Sequence, residues 1–266
     1  MALRAVLLDF NGVVINDEPL HQRLMQDLLL EENLRPSLED YHQLCLGRTD
    51  RACIIDLWHR QGRVVTEAQL NRLLDRKAEL YRQSLVSYDR LPLYPGLEDF
   101  IYQIRVAELH LAIVSGARRS EIETVLGLAG LADQVALIIS GDDLPATGSK
   151  PAPDGYLLAI QGLNERFPQL GLRPQECVAI EDSFAGIEAA KRAGVPVVGV
   201  AHAYPYHMLH RRADWVLDHL YELRLDWLQA YYSPPAPYAE AISGEDRVPS
   251  GQRTQALPHP KPNPKQ

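Results

Sequence analysis

Cysteine is scarce in this chain: its 266 residues hold three, Cys45, Cys53 and Cys177. The odd count and the lack of close paired spacing argue against a zinc site and fit a reducing, cytoplasmic compartment. All three read as packing residues. Long apolar runs are missing too. Arg4 is followed by only four apolar residues before Asp9, too few for a signal peptide, and no later run approaches a membrane span. Basic charge is also short: 27 Lys and Arg stand against 35 Asp and Glu, and the resulting charge of -8 argues against an extended nucleic-acid surface. A local basic pocket for a small phosphorylated metabolite stays open. The expectation is therefore a soluble cytoplasmic protein with neither nucleic acid nor membrane as partner.

What the chain does have is apolar material, 46% of its residues, enough for the core of one large or two small domains. Ala5-Val6-Leu7-Leu8 is an unbroken apolar run ending in Asp9, the pattern of a strand buried on both faces of a parallel sheet. Gly12 allows a sharp turn after it, and Asp17-Glu18-Pro19 reads as the opening of a helix. From there to about Leu91 the spacing is helical, with Leu20, Leu24 and Leu28 on one face, then Ile54, Leu57 and Trp58, then Leu70, Leu73 and Leu74. Leu91 to Gly96 punctuates the chain as a linker, and a helix resumes at Leu97.

Beyond that point strands alternate with helices. Leu111–Val114, Val135–Ile139, Glu176–Ile180 and Val195–Val200 read as buried strands, Trp215–Leu217 as an edge strand, and Ser120 with Glu123 has capping-box spacing for a helix running toward Gly130. Such alternation implies parallel pairing through crossovers. The predicted fold is α/β, a doubly wound Rossmann-like core (1–15 and 91–232) with a helical cap (16–90) inserted after the first strand. Between Ser233 and Gln266 fall eight of the chain's 19 prolines with almost no apolar residues, so 233–266 reads as a disordered tail. A polyproline ligand for a weakly bound partner is the other reading of that tail.

Ligands of open parallel sheets collect at the carboxyl ends of the strands. Four polar groups are expected there: Asp9, Ser115-Gly116, Lys150 in the loop Gly148-Ser149-Lys150-Pro151, and Glu181-Asp182. Gathering carboxylates, a hydroxyl and an ammonium at one buried edge costs several kcal/mol unless they are paired or bind metal. A Mg²⁺–phosphate site accounts for all of them. Asp9, ionised at neutral pH, can attack phosphorus and form an aspartyl-phosphate. Asp9, the backbone carbonyl of Asn11, Asp182 and Glu181 offer the hard oxygens that Mg²⁺ takes. Ser115, with the amides of the Gly116 loop, can bind phosphoryl oxygens, and Lys150 can neutralise charge during transfer. Gly186 and Gly194 bracket the following helix as turn and C-cap.

The stretches Asp9-Phe10-Asn11-Gly12-Val13, Val114-Ser115-Gly116, Lys150-Pro151-Ala152-Pro153-Asp154 and Ile180-Glu181-Asp182-Ser183-Phe184-Ala185-Gly186-Ile187 resemble the four motifs of the haloacid dehalogenase superfamily. The helical insert after the first strand resembles its β-phosphoglucomutase-like and CbbY-like phosphatases. The resemblance implies a Mg²⁺-dependent hydrolase of phosphomonoesters, a sugar phosphate foremost, or a phosphosugar mutase. It also implies the roles just given to Asp9, Ser115, Lys150, Glu181 and Asp182. The family pattern carries an aspartate as general acid and base where this chain has Asn11. A carboxamide exchanges no proton at neutral pH, and loss of such assistance costs about 10²–10⁴ in rate, so a slowed phosphatase is expected. A catalytically quiet protein that binds a phosphometabolite or another protein is the alternative. Spontaneous deamidation at Asn11-Gly12 offers a third possibility, activity that grows with age. His21 stands where β-phosphoglucomutases also carry a histidine. With Arg48, Arg51 and Lys77, it is a candidate for holding the second phosphate that a mutase requires.

Overall fold

A computed structural model describes residues 2–232; the tail at 233–266, with its disordered and polyproline readings, lies outside the described residues. Ala5–Leu8 forms β1, each residue fully buried. His110–Val114 (β2), Leu137–Ile139 (β3), Cys177–Glu181 (β4), Val197–Val200 (β5) and Trp215–Leu217 (β6) complete an all-parallel sheet in the order β3-β2-β1-β4-β5-β6. That is the doubly wound order expected from the alternating pattern. The third and fifth strands are each two residues shorter than their apolar runs, because Val135 and Ala136 leave a 3₁₀ turn and Val195 packs before pairing begins.

Because side chains alternate along a strand, β1 feeds two cores. Val6 and Leu8 face a cluster with Phe100, Ile104 and Ile122. Ala5 and Leu7 face another with Tyr156, Leu163 and Ile187. The helices of those layers are α5 (Leu97–Val106), α6 (Arg119–Leu128), α7 (Asp154–Arg166) and α8 (Phe184–Arg192), with α9 (Tyr206–Leu209) and α10 (Leu225–Tyr232) near the far edge.

Between β1 and β2 lie α1 (Glu18–Glu31), α2 (Leu38–Leu44), α3 (Asp50–Arg60) and α4 (Glu67–Val86). They bury a third cluster of their own around Leu28, Ile54, Trp58 and Leu70. The chain enters and leaves this bundle side by side: Ile15 bridges Leu93, and the Asn16 amide donates to the Pro92 carbonyl at 2.8 Å.

Three local expectations are corrected. Ser120 does not cap α6, which starts one residue earlier; its Arg119 amide donates to Asp142 at 2.8 Å, so a carboxylate 23 residues away does the capping. Gly186 lies inside α8 rather than at a turn, whereas Gly194, at φ +76°, does follow the helix end. Cys45 and Cys53 are bonded to each other. Cys45 closes α2 and Cys53 lies in the first turn of α3, and the short connection between the helices brings their Cα atoms to 4.7 Å. Only Cys177, buried in β4, is a free packing residue.

Candidate active site

The registers Leu8↔Ile113 and Leu8↔Ile180 set the ends of β1, β2 and β4 level. Asp9 therefore emerges beside Val114-Ser115 on one side and Glu181-Asp182 on the other, at the switch point of the sheet. Gly12 lets the chain curl back over this edge. Its φ is +81°, and a Cβ there would lie 1.9 Å from Oδ2 of Asp182, so both the backbone and the space demand glycine.

Lys150 joins the segments. Its Nζ donates to Asp9 Oδ1 at 2.7 Å, to Glu181 Oε1 at 2.6 Å and to the Val114 carbonyl at 3.1 Å. Burial opposes the ammonium charge, but Asp9 and Glu181 outweigh it and hold the Lys150 pKa above its ordinary value. Glu181 also accepts from the Tyr156 hydroxyl at 2.5 Å. Burial first, and then the Asp9 charge, push the Glu181 carboxyl up to about 7, against the pull of Lys150 and Tyr156. Asp182 is driven well above the usual carboxylate range by burial and by the charges of Asp9 and Glu181. Donor oxygens of Asp9, Glu181 and Asp182 lie within 4.8 Å of one another. Three buried carboxylates facing one lysine leave negative charge that a divalent cation fits. Glu181 also orients Lys150, so its oxygens serve both purposes.

Ser115 is buried at the end of β2, and its Oγ accepts from the Ala117 amide at 3.0 Å. Gly116 and Ala117 line the same pocket as Asp9, Asn11 and Asp182. His21 and Arg48 line it from the inserted helices. Arg51 and Lys77 do not: Arg51 pairs with Glu67, and Lys77 is fully buried between Asp50 and Glu121.

Around Asn11 lies an unforeseen carboxylate. Asn11 Nδ2 donates to both oxygens of Asp17, at 3.1 and 3.0 Å, while His21 Nε2 reaches Asp17 Oδ2 at 3.1 Å and the Tyr81 hydroxyl donates to it at 2.5 Å. Burial raises the Asp17 pKa, but the nearby His21 charge and these donors leave it below its ordinary value. Asp17 occupies the N-cap of α1 without capping it; its side chain serves the site instead. The visible signal was its four-residue spacing from His21. Tyr156 was missed as well, although it stands in the first turn of the helix that follows Lys150.

The sequence profile of haloacid dehalogenase-like hydrolases matches residues 3–194. The CbbY protein of Rhodobacter capsulatus is 28% identical over 225 residues, 83% of this chain and 95% of that protein. A phosphoglycolate phosphatase of Haemophilus influenzae is 26% identical over 221 residues, covering 81% and 94% of the two chains. Among solved structures, a β-phosphoglucomutase from Clostridium difficile superposes with a TM-score of 0.76 at 21% identity, over 86% of this chain and 97% of that one. A CbbY variant from Rhodobacter sphaeroides bound to xylulose-1,5-bisphosphate gives 0.72 at 25% identity, over 84% and 96%. The profile spans well over half of the sequence, and the sheet order and the inserted helical bundle agree with it: the chain belongs to the haloacid dehalogenase-like hydrolases.

Proposed function

We propose that the chain is a Mg²⁺-dependent phosphomonoester hydrolase acting on a small phosphorylated metabolite, a sugar phosphate foremost. The observation that carries this reading is Lys150, which bridges Asp9 and Glu181 at 2.7 and 2.6 Å on the edge where Asp182 completes an acidic triad. Asp9, Asp182, Glu181 and the Asn11 carbonyl would hold Mg²⁺, which when bound offsets negative charge between phosphate and carboxylates. An Asp9 oxygen attacks phosphorus, the bond to the ester oxygen breaks, and the alkoxide takes a proton from water. Water then attacks the aspartyl-phosphate, releasing inorganic phosphate and restoring Asp9. The Ser115 hydroxyl and the Gly116 amide serve the phosphoryl oxygens, the Ala117 amide being taken by Ser115 Oγ, and Lys150 stabilises the charge they gather.

Asn11 supplies no proton in either half, so turnover is slow and favours leaving groups that need no protonation. The decisive experiment is a panel of phosphorylated metabolites assayed with and without Mg²⁺. Hydrolysis that needs the metal and disappears in Asp9→Asn supports the reading; metal-independent hydrolysis, or activity that survives in Asp9→Asn, refutes it. The Asn11–Asp17 hydrogen bonds favour a second reading, a quiet phosphometabolite-binding protein, because they turn the Asn11 amide toward a carboxylate rather than an ester oxygen. Ester binding with no turnover anywhere in the panel would select it.

A further inference from the structure

The pocket wall supplied by the inserted helices carries Glu18, His21, Tyr41, Arg48 and Asp50. Arg48 is the only arginine or lysine lining this pocket among the described residues, and its charge is already engaged. Its Nη1 donates to Asp56 Oδ2 at 2.7 Å and to the Leu44 carbonyl at 2.7 Å. Asp56 itself does not line the pocket; it sits on α3 behind the loop that presents Arg48. Of the remaining cap groups, His21 is held by the Asp17 carboxylate at 3.1 Å, and the others are acceptors or hydroxyls. Glu18 takes the Tyr41 hydroxyl at 2.6 Å, and Asp50 takes Lys77 at 2.6 Å. Arg51, in the first turn of α3, pairs with Glu67 instead.

Resting on the hydrolase reading, we propose that this pocket selects phosphomonoesters whose far end is neutral and hydroxylated, and that Asp56 sets this preference by holding Arg48. Sugar hydroxyls donate readily to Glu18, to Asp50 and to the Tyr41 oxygen, whose own proton is held by Glu18. A second phosphate or a carboxylate meets those same two acids, while the two cations in reach, Arg48 and His21, are each already paired with a carboxylate, Asp56 at 2.7 Å and Asp17 at 3.1 Å. Such a wall disfavours phosphoglycolate and sugar bisphosphates, the compounds named for two of its relatives. It also gives a mutase no second phosphate site. Asp56 is thus a positioning residue, acting on the substrate through Arg48.

The test uses glucose 6-phosphate, phosphoglycolate and fructose 1,6-bisphosphate. Affinities are read by calorimetry on full-length Asp9→Asn protein with Mg²⁺, and kcat and KM on the parent. The neutral-ended ester should be favoured by about tenfold or more, the size of one well-placed charge conflict. Asp56→Asn should lower KM for the two anionic-ended compounds by about fivefold, what a half-exposed ion pair is worth, with kcat unchanged. Asp56→Glu should keep the parent's preference, and a purely structural role for Asp56 would move all three substrates alike. Equal or tighter binding of phosphoglycolate or the bisphosphate to the parent overturns the inference, as does an unchanged ratio in Asp56→Asn. If the affinity order holds but no ester is hydrolysed, the hydrolase reading falls alone. Absence of binding by all three overturns both.

Discussion

Asn11 Nδ2 lies 3.0 Å from an Asp17 oxygen, so an aspartate introduced at position 11 would bring a second carboxylate against one already buried. Like charges that close do not both ionise freely, and the new acid would share its proton instead of delivering it to an ester. Of the 10²–10⁴ that acid–base assistance is worth, Asn11→Asp alone should recover only about tenfold in kcat, and Asn11→Asp with Asp17→Asn about a hundredfold. Steady-state assays of the two variants on one substrate decide it; a single variant as fast as the double removes Asp17 from the argument. Glu181 and Asp182 give a second outcome. The Glu181 carboxyl is raised from 4.5 to about 7, chiefly by burial, and Asp182 shifts the same way. A folded-state pKa above the unfolded one means a stability contribution fully present below the unfolded value and lost as pH rises through about 7. Metal-free protein should therefore lose stability between these limits. Mg²⁺ binds the ionised forms and should raise Tm more at pH 8 than at pH 6. Equal shifts at both pH values would dissociate these carboxylates from the metal.

Helix α8 shows how an element serves a side chain that it does not carry. A Cβ at Gly186 would sit 1.9 Å from Glu181 Oε2, so the first turn of the helix passes directly over the carboxylate that orients Lys150. Gly186→Ala should cost about 1–3 kcal/mol from overpacking and lower kcat by displacing Glu181. Gly127, exposed in α6 with nothing within 4 Å of its missing Cβ, is the matched control: Gly127→Ala should stabilise by about 1 kcal/mol and leave kcat alone. Thermal melts and a single assay read both. These two helices also show what sequence could and could not reveal. The strands and the order of Asp9, Ser115, Lys150 and Asp182 along them were legible, because short apolar runs ending in polar residues leave few alternatives once strands alternate with helices. Asp17 was hidden by a sufficient local explanation, the N-cap of α1, which its side chain does not fill. The Cys45–Cys53 bond and the Arg48–Asp56 pair depend on how the loop between α2 and α3 folds against α3, and spacing alone does not fix that path. Capping at Ser120 failed because the competing cap, Asp142, is distant in sequence and close in space.

On the scale of the whole molecule, the inserted bundle has a core of its own yet shares Leu20, Leu24, Tyr81 and Leu85 with the cluster under β1, and polar contacts beside the pocket add to that tie. The Thr49 amide donates to Ser149 Oγ at 2.9 Å, Arg118 pairs with Asp75 at 2.6 Å, and Lys77 on α4 reaches Glu121 on α6 at 3.3 Å. They are not equal. Arg118–Asp75 is largely exposed and worth under about 1 kcal/mol, whereas Lys77 is fully buried with Glu121 beside it. Removing one partner of a buried pair strands the other charge, at about 3–5 kcal/mol, while replacing both with apolar groups of similar volume restores much of the loss. Lys77→Met should therefore lower stability by about that amount and raise KM, because the bundle closes over the site less often. Lys77→Met with Glu121→Met should regain part of the stability, since Glu121 no longer sits buried without a partner while Asp50, 2.6 Å from Lys77 in the parent, still loses its cation, yet keep the raised KM, since the tie itself is gone. Denaturant melts and KM measured together separate the two effects. If Lys77→Met melts like the parent, the pair does not hold the bundle down. If the double variant recovers its KM along with its stability, closure over the pocket rests on the apolar contacts alone.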